Sequence, residues 1–163
     1  MNALPNIKDD VFQLTPELLE TGLAASRESP RRRMILPIHR RQDDLVQRML
    51  NFLQPGTYIQ PHLHQRESAT ETIFVIRGRL GFILFDNRGS ETSATMLEPG
   101  DLIDIEPDIW HGMVCLEQDT VILEIKRGPY DEIEDKTFAD WAPGENDGEI
   151  TAKYYAYLEA MFP

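Results

Sequence analysis

A chain of 163 residues, 41% hydrophobic and 27% charged, holds enough material for one domain with a real core. Its net charge of -12 argues against nucleic acid as a partner, because phosphate binding calls for a basic surface. The lone Cys115 excludes an intrachain disulfide, no run approaches the roughly 20 apolar residues of a membrane span, and the first residues carry acids rather than a leader's apolar stretch, so a cytoplasmic protein is expected.

Along the chain, the first expected element is a helix capped by Thr15, with Pro16 at its first position and Glu17 in its first turn. Leu18, Leu19 and Leu23 supply its apolar stripe, weakened by Gly22. Ser29 and Pro30 break the chain before a short strand over Met34, Ile35 and Leu36. A second short helix is expected from Asp43 or Asp44 through Leu45, Val46, Met49 and Leu50, ended by Pro55 and Gly56. From Thr57 onward the pattern changes to short strands separated by turn residues. These are Ile73–Ile76, Leu80–Phe85, Thr92–Leu97, Leu102–Ile105, His111–Leu116 and Thr120–Ile125, with Gly78, Gly89 and Gly100 in the turns. Such spacing without long intervening helices argues for an all-β sandwich or small barrel. After Pro129 the chain is irregular and acidic, and Ala152–Met161 reads as a terminal helix with Tyr154, Leu158 and Met161 on one face. The expected division is 1–27 as an N-terminal helical extension, 28–130 as the barrel with its lead-in, and 131–163 as an acidic segment and helix packed on it.

The chemistry concentrates on three of the four histidines. His62 and His64, at i and i+2, point to one side of a strand. Glu71 opens an apolar strand, where a carboxylate is costly to bury without a cation, and His111 opens another. Three imidazoles and a carboxylate suit a divalent transition metal: Fe, Zn, Mn, Ni or Co. The plain alternatives are surface or core histidines and a water-facing Glu71, and Glu67 is the rival carboxylate.

Gly56, His62, His64, Glu71 and Gly78 resemble the first cupin motif, and Gly100, Pro107 and His111 resemble the second. That resemblance implies a jelly-roll barrel binding its metal through His62, His64, Glu71 and His111, and its spacing from Glu71 to Gly78 favours Glu71 over Glu67. The His64–Glu71 interval exceeds the common cupin spacing, which implies a longer loop. A wider likeness spans roughly residues 28–145. Its blocks run from Ser29–Arg33 and Asp44–Arg48 through Pro55–Tyr58 to Glu124–Lys126, Gly128–Tyr130 and Lys136–Pro143. They resemble the WbuC family of cupin-fold metalloproteins, which implies a bacterial protein associated with surface polysaccharide (lipopolysaccharide) synthesis, its reaction unassigned.

Other residues qualify as neighbours of the metal. Tyr58, at i-4 from His62, shares the ligand side of a regular strand and is a candidate proton carrier, with packing as the alternative. His39 is a candidate acid or base. Arg32 and Arg33 offer donor forks for a carboxylate or phosphate, although alternation prevents both from facing inward. Lys126 and Tyr130 stand at the barrel rim as further substrate contacts. The acidic segment, whose only basic residue is Lys136, reads as solvated surface.

A metal so held serves Lewis-acid isomerase, epimerase or lyase chemistry on an anionic or sugar-like small molecule, or Fe(II) oxygenase chemistry. A non-catalytic metal or small-ligand binding module and a purely structural metal are the alternatives outside enzymology. Jelly-roll edges and the terminal helix favour a homodimer.

Overall fold

The computed structural model describes residues 3–67, 69–131 and 135–163. Residues 132–134, within the acidic stretch, lie outside this description. Ten strands and two helices follow in the order α1 (Pro16–Glu28), β1 (Arg33–Pro37), β2 (Val46–Leu53), β3 (His62–Leu63), β4 (Glu71–Arg77), β5 (Leu80–Phe85), β6 (Glu91–Leu97), β7 (Leu102–Ile105), β8 (His111–Cys115), β9 (Thr120–Arg127), β10 (Thr137–Phe138) and α2 (Glu149–Glu159). They form two five-stranded antiparallel sheets, β1-β2-β9-β4-β7 and β10-β3-β8-β5-β6, facing each other as a jelly roll.

Helix α1 begins as its sequence requires. The Thr15 side chain accepts from the Leu18 N–H at 3.3 Å, and Pro16 and Glu17 fill the first turn. Its stripe packs against the outer face of β1, β2 and β9, where Leu23 meets Met34, Leu36, Leu50, Phe52 and Val121. Gly22 permits this approach, since a Cβ there would lie only 2.3 Å from Cζ of the Phe52 ring.

The second helix expected near residues 43–50 is instead strand β2, flanked by β1 and β9. Leu50 and Phe52 face α1, while Met49, Asn51 and Leu53 face the barrel interior. Because both faces are covered, apolar residues occupy both, and the alternation that marks a half-buried strand disappears. The chain therefore has one described N-terminal helix rather than several.

Between the sheets, Ile73, Val75, Leu80, Phe82, Leu97, Ile105 and Cys115 are buried with Leu53, Met113 and Ile122. Helix α2 covers the outer face of the second sheet, with Leu158 against Ile83, Phe85 and Val114, flanked by Tyr154 and Met161. The turn between β4 and β5 uses Gly78 at φ +78, a conformation that excludes most side chains. Strand β10 falls where the sequence reads as irregular, because two residues carry no recognisable period.

Candidate metal centre

The β3 strand and the first residue of β8 lie side by side, with His62 directly opposite His111. Glu71 starts β4 in the facing sheet, and His64 follows β3. The four side chains bring their donor atoms within 4.8 Å of one another, and all four are buried. A cation with bonds of about 2.1 Å needs donors about 3–4.2 Å apart, so closure requires movements of a few tenths of an ångström. Glu67, by contrast, lies exposed in a turn.

Each imidazole is aimed by its own Nδ1. That of His62 lies 3.0 Å from the Gln60 carbonyl, that of His111 lies 2.8 Å from the Ile109 carbonyl, and that of His64 meets the Asp135 carbonyl. A carbonyl only accepts, so Nδ1 carries the hydrogen and Nε2 offers a lone pair. The Nε2 atoms of His62 and His111 are buried without a hydrogen-bond partner among the described residues. Glu71 Oε2 stands 3.3 Å from His64 Nε2 and 3.2 Å from His111 Nε2. Orphaned imidazole lone pairs around a buried carboxylate fit a divalent cation better than they fit one another.

The electrostatics agree. Burial raises the Glu71 carboxyl, but the adjoining His111 and His64 rings outweigh it and hold the group well below the usual carboxylate range. Burial, then the Lys136 charge, keeps His62 well below an ordinary histidine and hence neutral.

Beside the cluster, the inner faces of β1, β2 and β9 border a cavity of about 580 Å³, a size suited to a small metabolite. Arg33, His39, Lys126 and Tyr130, expected near the site, all border it. Arg33 donates to the Tyr58 carbonyl at 2.8 Å and, with Arg31, holds the carboxylate of Glu145. Lys126 Nζ stands 2.6 Å from Asp135 and 5.7 Å from the centre of the Tyr130 ring. His39 sets Nδ1 2.9 Å from the Arg48 carbonyl, and its buried Nε2 has no partner among the described residues.

Two expected site residues stand elsewhere. Arg32 adopts φ +54 and donates to the Pro55 carbonyl at 2.9 Å, outside the cavity. The segment before β3 is not a regular strand, so Tyr58 leaves the ligand side. Its hydroxyl donates to the Pro143 carbonyl at 2.8 Å, and its ring packs edge-on against Tyr154. The acidic segment is not wholly solvated surface either: Asp135 and Glu145 pair with cavity cations.

One cavity residue escapes a reading of the histidines alone. Glu124 is buried beside Glu71 and accepts from Asn51 Nδ2 at 2.7 Å. Burial first, and then the Glu71 charge, pushes its carboxyl up. The available signal was the i, i+2 pair Glu124 and Lys126 inside an otherwise apolar strand, which puts two charges on one inward face.

The fold is of the cupin type, a double-stranded β-helix barrel, and it encloses a buried histidine–glutamate cluster of metal-ligand type. The chain belongs to the family described as Domain of unknown function (DUF6016), which matches residues 14–97, just over half its length. No curated protein matches it. Among solved structures it is similar to an uncharacterized conserved protein with a double-stranded β-helix domain from Klebsiella pneumoniae. That likeness has 16% identity and a TM-score of 0.58, covering 82% of this chain and 99% of the other. KdgF from Halomonas sp. matches at 21% identity and a TM-score of 0.49, over 62% of this chain and 82% of its own. An oxalate decarboxylase from Lactobacillus farciminis matches at 16% identity and a TM-score of 0.48, over 58% of this chain. This chain spans about a quarter of that enzyme's length, 27%. Among the described residues, no helix is long and apolar enough to cross a membrane.

Proposed function

We propose that this cupin holds a divalent transition metal through His62, His64, Glu71 and His111. On this reading it is an enzyme acting on a small anionic or sugar-like molecule by isomerase, epimerase or lyase chemistry. The observation that carries the reading is the pair of buried, unpartnered Nε2 atoms on His62 and His111 beside a cavity of metabolite size. When bound, the metal supplies Lewis acidity toward a substrate oxygen.

The chain's own residues supply the rest. Glu124, fixed by Asn51, is the carboxyl placed to take a proton from substrate and return it. His39 presents a second acid–base group at the cavity wall. Ile35, Met49, Met113 and Ile122 exclude water from the apolar side of a bound molecule.

The resemblance to the WbuC family adds surface polysaccharide synthesis in the bacterial cytoplasm as the setting. A homodimer belongs to the same reading, since edge strand β7 exposes Leu102. The test is proton exchange. Protein loaded with manganese, zinc or nickel is incubated in D2O with aldonic and uronic acids, and NMR follows deuterium at carbon next to the carboxylate or carbonyl. Metal-dependent exchange that falls in Glu124→Gln is the expected result. Loaded protein that exchanges none of them, while the iron-loaded form consumes oxygen in their presence, contradicts it.

A further inference from the structure

Four lysine and arginine side chains border the cavity: Arg31, Arg33, Lys126 and Lys136. Three are already neutralised within the chain, Arg31 and Arg33 by Glu145 and Lys126 by Asp135. Lys136 is different. Among the described residues its charge is felt by Glu124 and His62 across the cavity edge, but it is held in none of the salt bridges that tie up the other three.

Its position follows from strand register. In the pairing of β10 with β3, Thr137 lies opposite Leu63 and Phe138 opposite His62. Alternation puts Lys136 and Phe138 on one face. Both border the cavity, whereas the Thr137 hydroxyl bonds away to Gln65 at 3.0 Å. The Phe138 ring lies 6.1 Å from that of His62, so this face of β10 adjoins the metal ligands. The flanking residue Asp135 holds His64 through its carbonyl and Lys126 through its carboxylate, which fixes the backbone on which Lys136 stands.

The surface as a whole, at a net charge of -12, repels anions. An anion entering the cavity therefore needs a local cation, and Arg33 or Lys126 would serve only by stranding a partly buried Glu145 or Asp135. Lys136 has no such commitment, and partial burial strengthens its attraction relative to open solvent.

We propose that Lys136 anchors the substrate's remote anionic group, so that the ligand class is a small hydroxy acid with a second negative group. One end faces the histidine–glutamate cluster, the other ion-pairs with Lys136, and Met113, Ile122 and Phe138 flank the carbon chain between them. This inference rests on the metal reading above.

The test uses the full chain loaded with cobalt(II), its cobalt content measured first, and calorimetric titration with glycolate, malate and 2-hydroxyglutarate. All three present an α-hydroxy carboxylate, and the last two add a second carboxylate at increasing reach. At least one diacid is expected to bind about tenfold more tightly than glycolate. Lys136→Gln should bring that diacid to within about twofold of glycolate, Lys136→Arg should keep most of the advantage, and glycolate itself should be unaffected. Cobalt-loaded protein without a diacid preference, or a preference that survives Lys136→Gln, overturns the role of Lys136 and leaves the metal reading standing. A native chain that takes up no cobalt overturns the metal reading and this inference with it.

Discussion

His62 and His111 stand opposite each other across the β3–β8 pair with ring centroids 4.5 Å apart, and each places its Nδ1 against the carbonyl two residues before it. The same local device on two adjacent strands leaves both Nε2 lone pairs buried in the cluster, that of His111 3.2 Å from Glu71. Preorganisation of this kind is what a metal site needs and what two ordinary core histidines do not.

Glu71→Gln keeps the side chain's shape and removes its charge. Divalent metal affinity should then fall by at least about 10–100-fold, because three neutral imidazoles must hold the cation alone. Titration with cobalt(II), followed by its visible absorption, checks this, with exposed Glu67→Gln as a control that should titrate like the native chain.

Gly22→Ala sets two effects against each other. Alanine favours a helix over glycine by about 1 kcal/mol, but here its Cβ would come within 2.3–2.5 Å of three Phe52 ring atoms. Overpacking of a rigid core costs about 1–3 kcal/mol, and a clash with three atoms of a buried ring belongs at the upper end. The variant should be destabilised by about 1–2 kcal/mol net. A urea midpoint at or above the native one contradicts the α1 packing.

What the sequence makes legible follows from which features are local. The cap at Thr15, the tight turns and strands β5 and β7 could be read from short-range chemistry. The four proposed ligands stood out because imidazoles are rare in this chain and buried carboxylates need a cation. Strand β2 reads as a helix from sequence because the α1 contact on one face and the cavity on the other erase its period. Tyr58 and Arg32 depart from strand alternation because their backbones are not regular strand, and their side chains end on the Pro143 and Pro55 carbonyls, contacts that no short-range pattern announces. Glu145 and Asp135 read as solvated from sequence because their arginine and lysine partners lie on other elements of the fold.

Asp119 gives stability a pH dependence. Its carboxyl is held below the usual range by the Arg27 hydrogen bond, against burial and with help from Gln54. A carboxylate depressed on folding contributes stability above its unfolded-state pKa and loses it as pH falls through the folded value. Asn also tolerates the positive φ of 63° at this position. The native advantage over Asp119→Asn should therefore hold from neutrality to about pH 4 and shrink below it. Paired urea titrations across that range check it, and a gap that widens in acid contradicts the assignment.

Tyr58→Phe separates packing from catalysis. Losing the bond to Pro143 should cost about 1 kcal/mol of stability. Metal content and any deuterium exchange should match the native chain, since the hydroxyl is bound to the Pro143 carbonyl and Tyr58 does not line the cavity. A loss of exchange with metal retained would return Tyr58 to the site.

The most direct test of the metal centre is elemental analysis of untagged protein purified without added metal, beside the His62→Ala/His111→Ala double variant. The account expects near-stoichiometric transition metal in the native chain and its loss from a variant whose circular dichroism remains that of a folded β protein. A native chain that carries no metal and takes none up on reconstitution, or a folded double variant that retains it in full, contradicts the central claim.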